Sequence, residues 1–450
     1  MLRRFAISCV LILLALPLAA RTRPHYGGSL RVETERDPWQ RPDGIARRLV
    51  LNGLTSLDAG GVVRPALATE WASADADHRW QFHLRPGVHF HDGTPLTSVN
   101  VVASLNTACP ANCPWSTVHA LGAWLVFTSD APMPNLPALM ASDEFLIALT
   151  IAADGKIPAG NVGTGPFQVA GFNNGILLLQ ANESCWQGRP FADAIEIRAH
   201  RAIHDQWLDL SVGRADVAEV PAEMVRQAQQ QNLAVIASPA LSLLALQQFE
   251  AGPLANPLVR AAIAAAIDRS ALSNVIFQKQ GEVTASLLPQ NLTGYAFLFS
   301  TDRDLNRAHE LRGGLTVPPL TMAVDGTGAI QLAAQRIALN LREAGFNVQV
   351  NAGSAAQHPD LLLRMLPLED GAPPAVLDEL LRSAGQPLPA MTDANTTSLY
   401  KAEREILDRH TLVPLLDLPR VYAGSARMRD LRLCADGSPD LADASLEDAP

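Results

Sequence analysis

The residues best suited to chemistry stand close together: His83, His89, His91 and Asp92. Three imidazoles and a carboxylate suit a divalent transition metal. On a hairpin, odd-numbered residues share a face, which would gather the three rings. The plainer reading, and the preferred one, is an alternating hairpin with exposed polar positions and a turn capped by His91-Asp92. No metal ligand is assigned. Five cysteines are present, four of them beyond residue 20: Cys109, Cys113, Cys185 and Cys434. Cys109-Pro-Ala-Asn-Cys113 can close a small disulfide loop or hold two free thiols. Zinc normally takes four nitrogen or sulfur ligands, and no second cysteine pair follows.

Signatures of covalent and phosphate chemistry are absent. There is no Gly-x-Ser-x-Gly elbow, no Gly-x-x-x-x-Gly-Lys loop and no His-Glu-x-x-His. His309-Glu310 lacks the second histidine. Gly163-x-Gly165 runs into Pro166 and a strand, where a dinucleotide fold requires a helix. Val324-Asp-Gly-Thr-Gly328 resembles an aspartic-protease loop only with a misplaced glycine. It reads better as a turn from strand to helix.

The elements that must position these residues follow from periodicity. Residues 28–33 and 80–84 alternate as strands. Pro86-Gly87 makes a turn, and 88–90 returns as the partner of 80–84. Thr97 or Ser98 caps a helix carrying Val101, Val102 and Leu105. Residues 167–169 and 176–180 form a hairpin across Asn173-Asn174-Gly175, 195–197 is a strand, and 205–212 a short helix. Asn256-Pro257 opens a helix as N-cap and first residue. Its apolar face carries Leu258, Val259, Ala262, Ile263, Ala266 and Ile267. Ser270 caps the next helix. Strand 320–324, helix 330–344 with Gly345 after it, and strand 347–350 make a parallel βαβ unit.

Composition bounds the class. The chain has 450 residues, 48% hydrophobic and 18% charged, enough for more than one packed lobe. The formal charge is −10, and only Lys156, Lys279 and Lys401 are lysines. No basic block exists, which argues against nucleic acid and anionic membranes as partners. Arg3-Arg4, an apolar run over 5–16 and Pro17-Leu-Ala-Ala20 form the pattern of a cleaved secretory signal peptide, residues 1–20. The run is shorter than the roughly 20 apolar residues of a membrane span. Removing Arg3 and Arg4 brings the charge to −12.

One stretch is distinctive: Trp80-Gln-Phe-His-Leu-Arg-Pro-Gly-Val-His-Phe-His-Asp-Gly-Thr-Pro-Leu-Thr-Ser-Val-Asn-Val102. Before it stand Asn52-Gly-Leu54, Asp58 and Arg64-Pro-Ala-Leu-Ala-Thr-Glu-Trp71. After it come Val162-Gly-Thr-Gly-Pro-Phe167, Asn182, Trp186-Gln-Gly-Arg-Pro190, Gly213-Arg-Ala-Asp216 and the helix 256–269. In this order, over roughly 27–425, they resemble the family 5 extracellular solute-binding proteins of ABC importers.

That resemblance implies an α/β, two-lobed periplasmic-binding-protein fold (type II, peptide-binding-like) with an extra subdomain on lobe 1. The implied division is lobe 1 over 24–52 and 159–250, the extra subdomain over 53–158, lobe 2 over 251–410, and a return to lobe 1 with a tail over 411–450. The implied function is capture of a peptide or similar small solute between the lobes and delivery to an ABC permease and ATPase. The alternatives are a sensing or degenerate binder uncoupled from transport, and a secreted hydrolase. Neither an enzyme nor a cofactor is implied; the protein is expected to be a periplasmic monomer. The chain is shorter than most such proteins, and residues 28–52 and 362–377 are compressed. Asn52, Gly53 and Leu54 are the ligand-binding residues that the resemblance implies near the cleft. By register on the following proline, Glu369 or Asp370 replaces the acid that meets a ligand's amino end.

Overall fold

The computed structural model describes residues 25–39, 44–58, 61–109, 113–150, 162–295, 299–352, 358–368, 373–391, 395–434 and 437–447. The expected leader, residues 1–20, lies outside them, as do Glu369 and Asp370. Among the described residues no helix is long and apolar enough to cross a membrane.

An eleven-stranded mixed sheet runs through the molecule. Its order is Val348–Ala352, Leu320–Val324, Leu361–Pro367, Ala234–Gln248, Leu412–Gly424, Val217–Glu219, Ser29–Glu33, Ala194–Arg198, Ile176–Ala181 and Phe167–Asn173. Glu282–Val283 pairs beside Leu412–Gly424. The two long strands Ala234–Gln248 and Leu412–Gly424 are antiparallel neighbours and serve both halves. At one end they join Leu361–Pro367, and at the other Val217–Glu219. The fold is thus α/β and two-lobed, with these strands as the connection.

Each lobe has its own core. In lobe 1, Leu30, Val32, Ile195, Ile197 and Leu179 pack from alternating strand positions. In lobe 2, helices Pro257–Ala266 and Ala329–Glu343 lay Val259, Ile263, Ile337 and Leu341 on Met322, Leu361 and Leu363. Asn256 caps the first helix through its side chain, and Pro257 is its first residue. The βαβ unit is parallel, with Met322 opposite Val350 and Leu361.

A separate four-stranded antiparallel sheet orders Ala68–Ala74, Arg79–Leu84, Trp124–Thr128 and Thr117–Leu121. Helix Ser98–Ala108 starts in a capping box between Thr97 and Asn100. Phe82, Phe127, Trp115 and Phe145 fill the core between them.

Three local expectations fail. Residues 88–90 do not return against 80–84, because both edges of Arg79–Leu84 are already taken by Ala68–Ala74 and Trp124–Thr128. Ser270 is not a cap; Asp268 accepts from the Ala271 amide and opens that turn. Leu258 lies on the outer face of its helix, 49% exposed.

Candidate functional site

The glycine and tryptophan motifs converge on one junction between the small sheet and lobe 1. Asn52 Oδ1 accepts from Thr164 Oγ1 at 2.9 Å and from Trp186 Nε1 at 3.1 Å. Asn182 Nδ2 donates to the Gly165 carbonyl at 3.0 Å. Gly163 and Gly165 are required by closeness: a Cβ on Gly163 would lie 2.0 Å from the Val50 carbonyl oxygen, and one on Gly165 2.5 Å from that of Leu49. Gly53 is pressed against the Met140 carbonyl in the same way, at 2.5 Å. Leu54 is fully buried in the small sheet's core. Of the expected ligand residues, the structure brings Asn52 to Thr164 and Trp186, and packs Gly53 and Leu54 into the junction.

The histidines separate. His91 bridges Gly163 and Gly165: its Nδ1 accepts the Gly163 amide at 3.3 Å and its Nε2 donates to the Gly165 carbonyl at 3.0 Å. Burial holds this imidazole below its ordinary pKa, against the pull of that carbonyl and Asp92. His83 lies against the Trp124 ring and meets Thr69 Oγ1 at 3.2 Å. His89 meets the Gly87 carbonyl, and Asp92 accepts from Thr94. Among the described residues no group of three His, Cys, Asp or Glu side chains is placed to hold a metal. Cys109 and Cys113 are disulfide-bonded, and Cys185 is a buried thiol whose pKa burial raises.

Where the lobes meet, the geometry suits capture of an extended chain. In the two crossing strands, Ala237 pairs with Val421 and Ala240 with Pro419. Ser238 and Pro239 therefore oppose the single residue Arg420, a bulge that bends the ladder. Both prolines lack an amide donor at this level. Register slips again between Ala240 and Ser242. These irregularities give the connection a natural bending point.

Beside it, strand Leu361–Pro367 outlasts its parallel neighbour. That pairing ends at Val324 opposite Leu363, where the Asp325 amide donates to the Leu363 carbonyl at 2.9 Å. On the other side, the Leu368 amide donates to the Leu241 carbonyl. By strict alternation, Met365 N–H, Met365 C=O and Pro367 C=O face the side left open among the described residues. Met365 as a whole residue is 43% exposed. An open strand edge is a template for an added extended segment.

Two charged side chains, Asp417 and Arg420, lie on the crossing strands, and Glu219 lies on the strand beside them. Burial pushes the Glu219 carboxyl up, while Arg420 and Arg36 pull it down. Burial also raises the Tyr422 hydroxyl, its register partner. On the lobe 2 side, Asp417 is 7% exposed, and burial pushes it to about 7, opposed by Thr284 and assisted by Glu282 and Glu403. Met365, Pro367, Asp417 and Arg420 carry no motif; only a hint existed, in the prolines inside two otherwise strand-like runs.

Residues 62–387 match the family described as Bacterial extracellular solute-binding proteins, family 5 Middle. The chain belongs to that family. The family is one of solute binding and not of catalysis; its members take a peptide or small solute and work with an ABC permease and ATPase. The chain is 26% identical over 405 residues to the "Probable di/tripeptide-binding protein 5" of Pseudomonas aeruginosa, covering 78% of this chain and 76% of that protein. The structure of NikA from Brucella suis in complex with Fe(III)-EDTA superposes with a TM-score of 0.78 at 16% identity, over 93% of this chain and all of that one. AppA of Bacillus subtilis, in complex with a nonapeptide, gives 0.70 at 16% identity, over 95% and 100%. This family 5 protein therefore has the two-lobed architecture expected from its motifs.

Proposed function

We propose that this protein is the periplasmic solute-binding component of an ABC importer and that its solute is a peptide or a peptide-like molecule. The observation carrying the ligand class is the open edge at Met365 and Pro367, set beside the bending point of the crossing strands. An extended peptide can add to such an edge through its backbone, whatever its side chains. Closure of the lobes then encloses it. Pro367 takes away one donor, so the described edge offers two carbonyls and one amide; ligand N–H groups are the better fit.

The cleaved leader 1–20 places the protein in the periplasm in this reading. The division of the chain into 24–52, 53–158, 159–250, 251–410 and 411–450 belongs to the same proposal. So do Asn52, Gly53 and Leu54 as ligand-binding residues, and Glu369 or Asp370 as acids near the ligand's amino end. No catalytic step is required, since binding and closure suffice for delivery.

The test is a thermal-shift screen of di-, tri- and longer peptides, alongside metal chelates and sugars, with native mass spectrometry of protein purified from periplasm. A ligand at a hundred times its Kd stabilises the folded state by about 2.7 kcal/mol. A clear rise in Tm with peptides is expected. A rise with chelates or sugars alone, or none at all, overturns the ligand class.

A further inference from the structure

The lobes also touch away from the crossing strands. Residues 222–226 belong to lobe 1: they follow strand Val217–Glu219, and Val225 packs with Trp207 and Ala218. Three parts of lobe 2 meet them. Ala222 packs against the lobe 2 core. Gln278 spans the loop with both ends of its amide: Nε2 donates to the Glu223 carbonyl at 2.5 Å, and Oε1 accepts the Arg226 amide at 3.4 Å. Gly328, the N-cap of helix Ala329–Glu343, leaves room for the Glu223 carboxylate; a Cβ there would lie 2.8 Å from Glu223 Oε1.

Two features accompany this contact. Gln278 and Lys279 both have left-handed backbones, with φ of 50° and 65°. Such conformations in residues with a Cβ are unfavourable and persist where surroundings enforce them. Gly328 itself supplies no capping side chain. The carboxylate of the other lobe stands at that positive helix end, where an anion is favoured.

We propose that the lobe arrangement described here is the closed one and that Gln278, Glu223 and Gly328 latch it independently of the solute. Gln278 is a positioning residue that acts by holding the lobe 1 loop. A protein competent to bind only when closed loses apparent affinity in proportion to its closed fraction. The latch therefore sets affinity for every solute by one common factor. It does not depend on a peptide being the solute, so a failure of the ligand class leaves it untouched.

The experiment uses ligand-free protein, with hydrogen exchange read over 222–226 and 329–332 and small-angle scattering read for size. A compact chain of this length has a radius of gyration of about 22 Å. Gln278→Ala is expected to speed exchange in both segments tenfold or more and to raise the radius. Glu223→Gln, which keeps shape and removes charge, should speed exchange at 329–332. Lys279→Gly relieves backbone strain without removing a contact and should leave both readouts unchanged. Unaltered exchange and unaltered scattering in Gln278→Ala overturn the latch. If Gln278→Ala fails to fold, unaltered exchange in Glu223→Gln overturns it instead.

Discussion

The hydroxyl of Ser238 accepts the amide proton of Arg420 at 2.9 Å, joining the two crossing strands where their ladder is broken. The same hydroxyl donates to the Pro239 carbonyl at 2.6 Å. One small side chain thus repairs part of what Pro239 and Pro419 remove, and it keeps the Arg420 amide and the Pro239 carbonyl paired.

Ser238→Ala should therefore weaken the fold at the connection. Ser238 is 8% exposed, so the Arg420 amide loses its acceptor largely out of reach of water. A cost of about 1–2 kcal/mol is expected. Urea denaturation measures it, and an unchanged midpoint would show that water replaces the hydroxyl without loss.

Gly163→Ala should be far more damaging. The new methyl would sit 2.0 Å from a backbone oxygen, and no side-chain rotation relieves that overlap. A loss of at least about 3 kcal/mol is expected. Gly314→Ala is the control, since nothing lies within 4 Å of its Cβ position and its φ is ordinary. Similar melting of the two variants would refute the close-packing account of the glycine motif.

Asp216 explains the Gly-Arg-Ala-Asp motif and makes an acid-sensitive clasp. It is fully buried and holds Arg31 at 2.9 and 3.0 Å and Arg427 at 3.0 and 3.2 Å. Burial alone would raise its pKa; the hydrogen bonds from Arg31 and Arg427 outweigh that and hold it below 3.8. A depressed folded value means its stabilisation is complete above pH 3.8 and is lost as pH falls through the lower folded value. Asp216→Asn should cost about 3 kcal/mol or more at neutral pH and flatten the acid limb of stability measured below pH 4. An unchanged acid limb would contradict it.

Asp417 behaves in the opposite sense. Its folded value of about 7 exceeds its unfolded value of 3.8, so the folded state holds the proton more tightly. Stability linked to it is fully present below pH 3.8, falls as pH rises from there to about 7, and then levels off. Asp417→Asn removes this slope and should stabilise the protein at pH 8 by a few kcal/mol. Denaturation midpoints from pH 4 to 8 decide it; identical slopes in both proteins would exclude a buried neutral carboxyl.

Pro367→Ala would restore an amide to the open strand edge. With a peptide bound there, one added hydrogen bond contributes about 1 kcal/mol, a fivefold gain in affinity. Calorimetry with the best peptide from the screen reads it directly. Equal or weaker binding would argue that the ligand does not lie along that edge.

What the sequence determined by itself was local or consecutive. The period-two run at 80–84, the Asn256-Pro257 helix start and the strand–helix–strand at 320–350 depend on neighbours a few residues away, and all three form. The ordered motifs gave the family for the same reason, being contiguous strings. Pairing between distant segments was decided only in three dimensions. Whether 80–84 pairs with 88–90 or with 124–128 turns on which edges are free, and that separated the three histidines. Asn52, Thr164 and Trp186 meet across more than a hundred residues. Likewise Ser238 meets Arg420, and strand Leu361–Pro367 outlasts its neighbour, only because register is set jointly by every strand of the sheet.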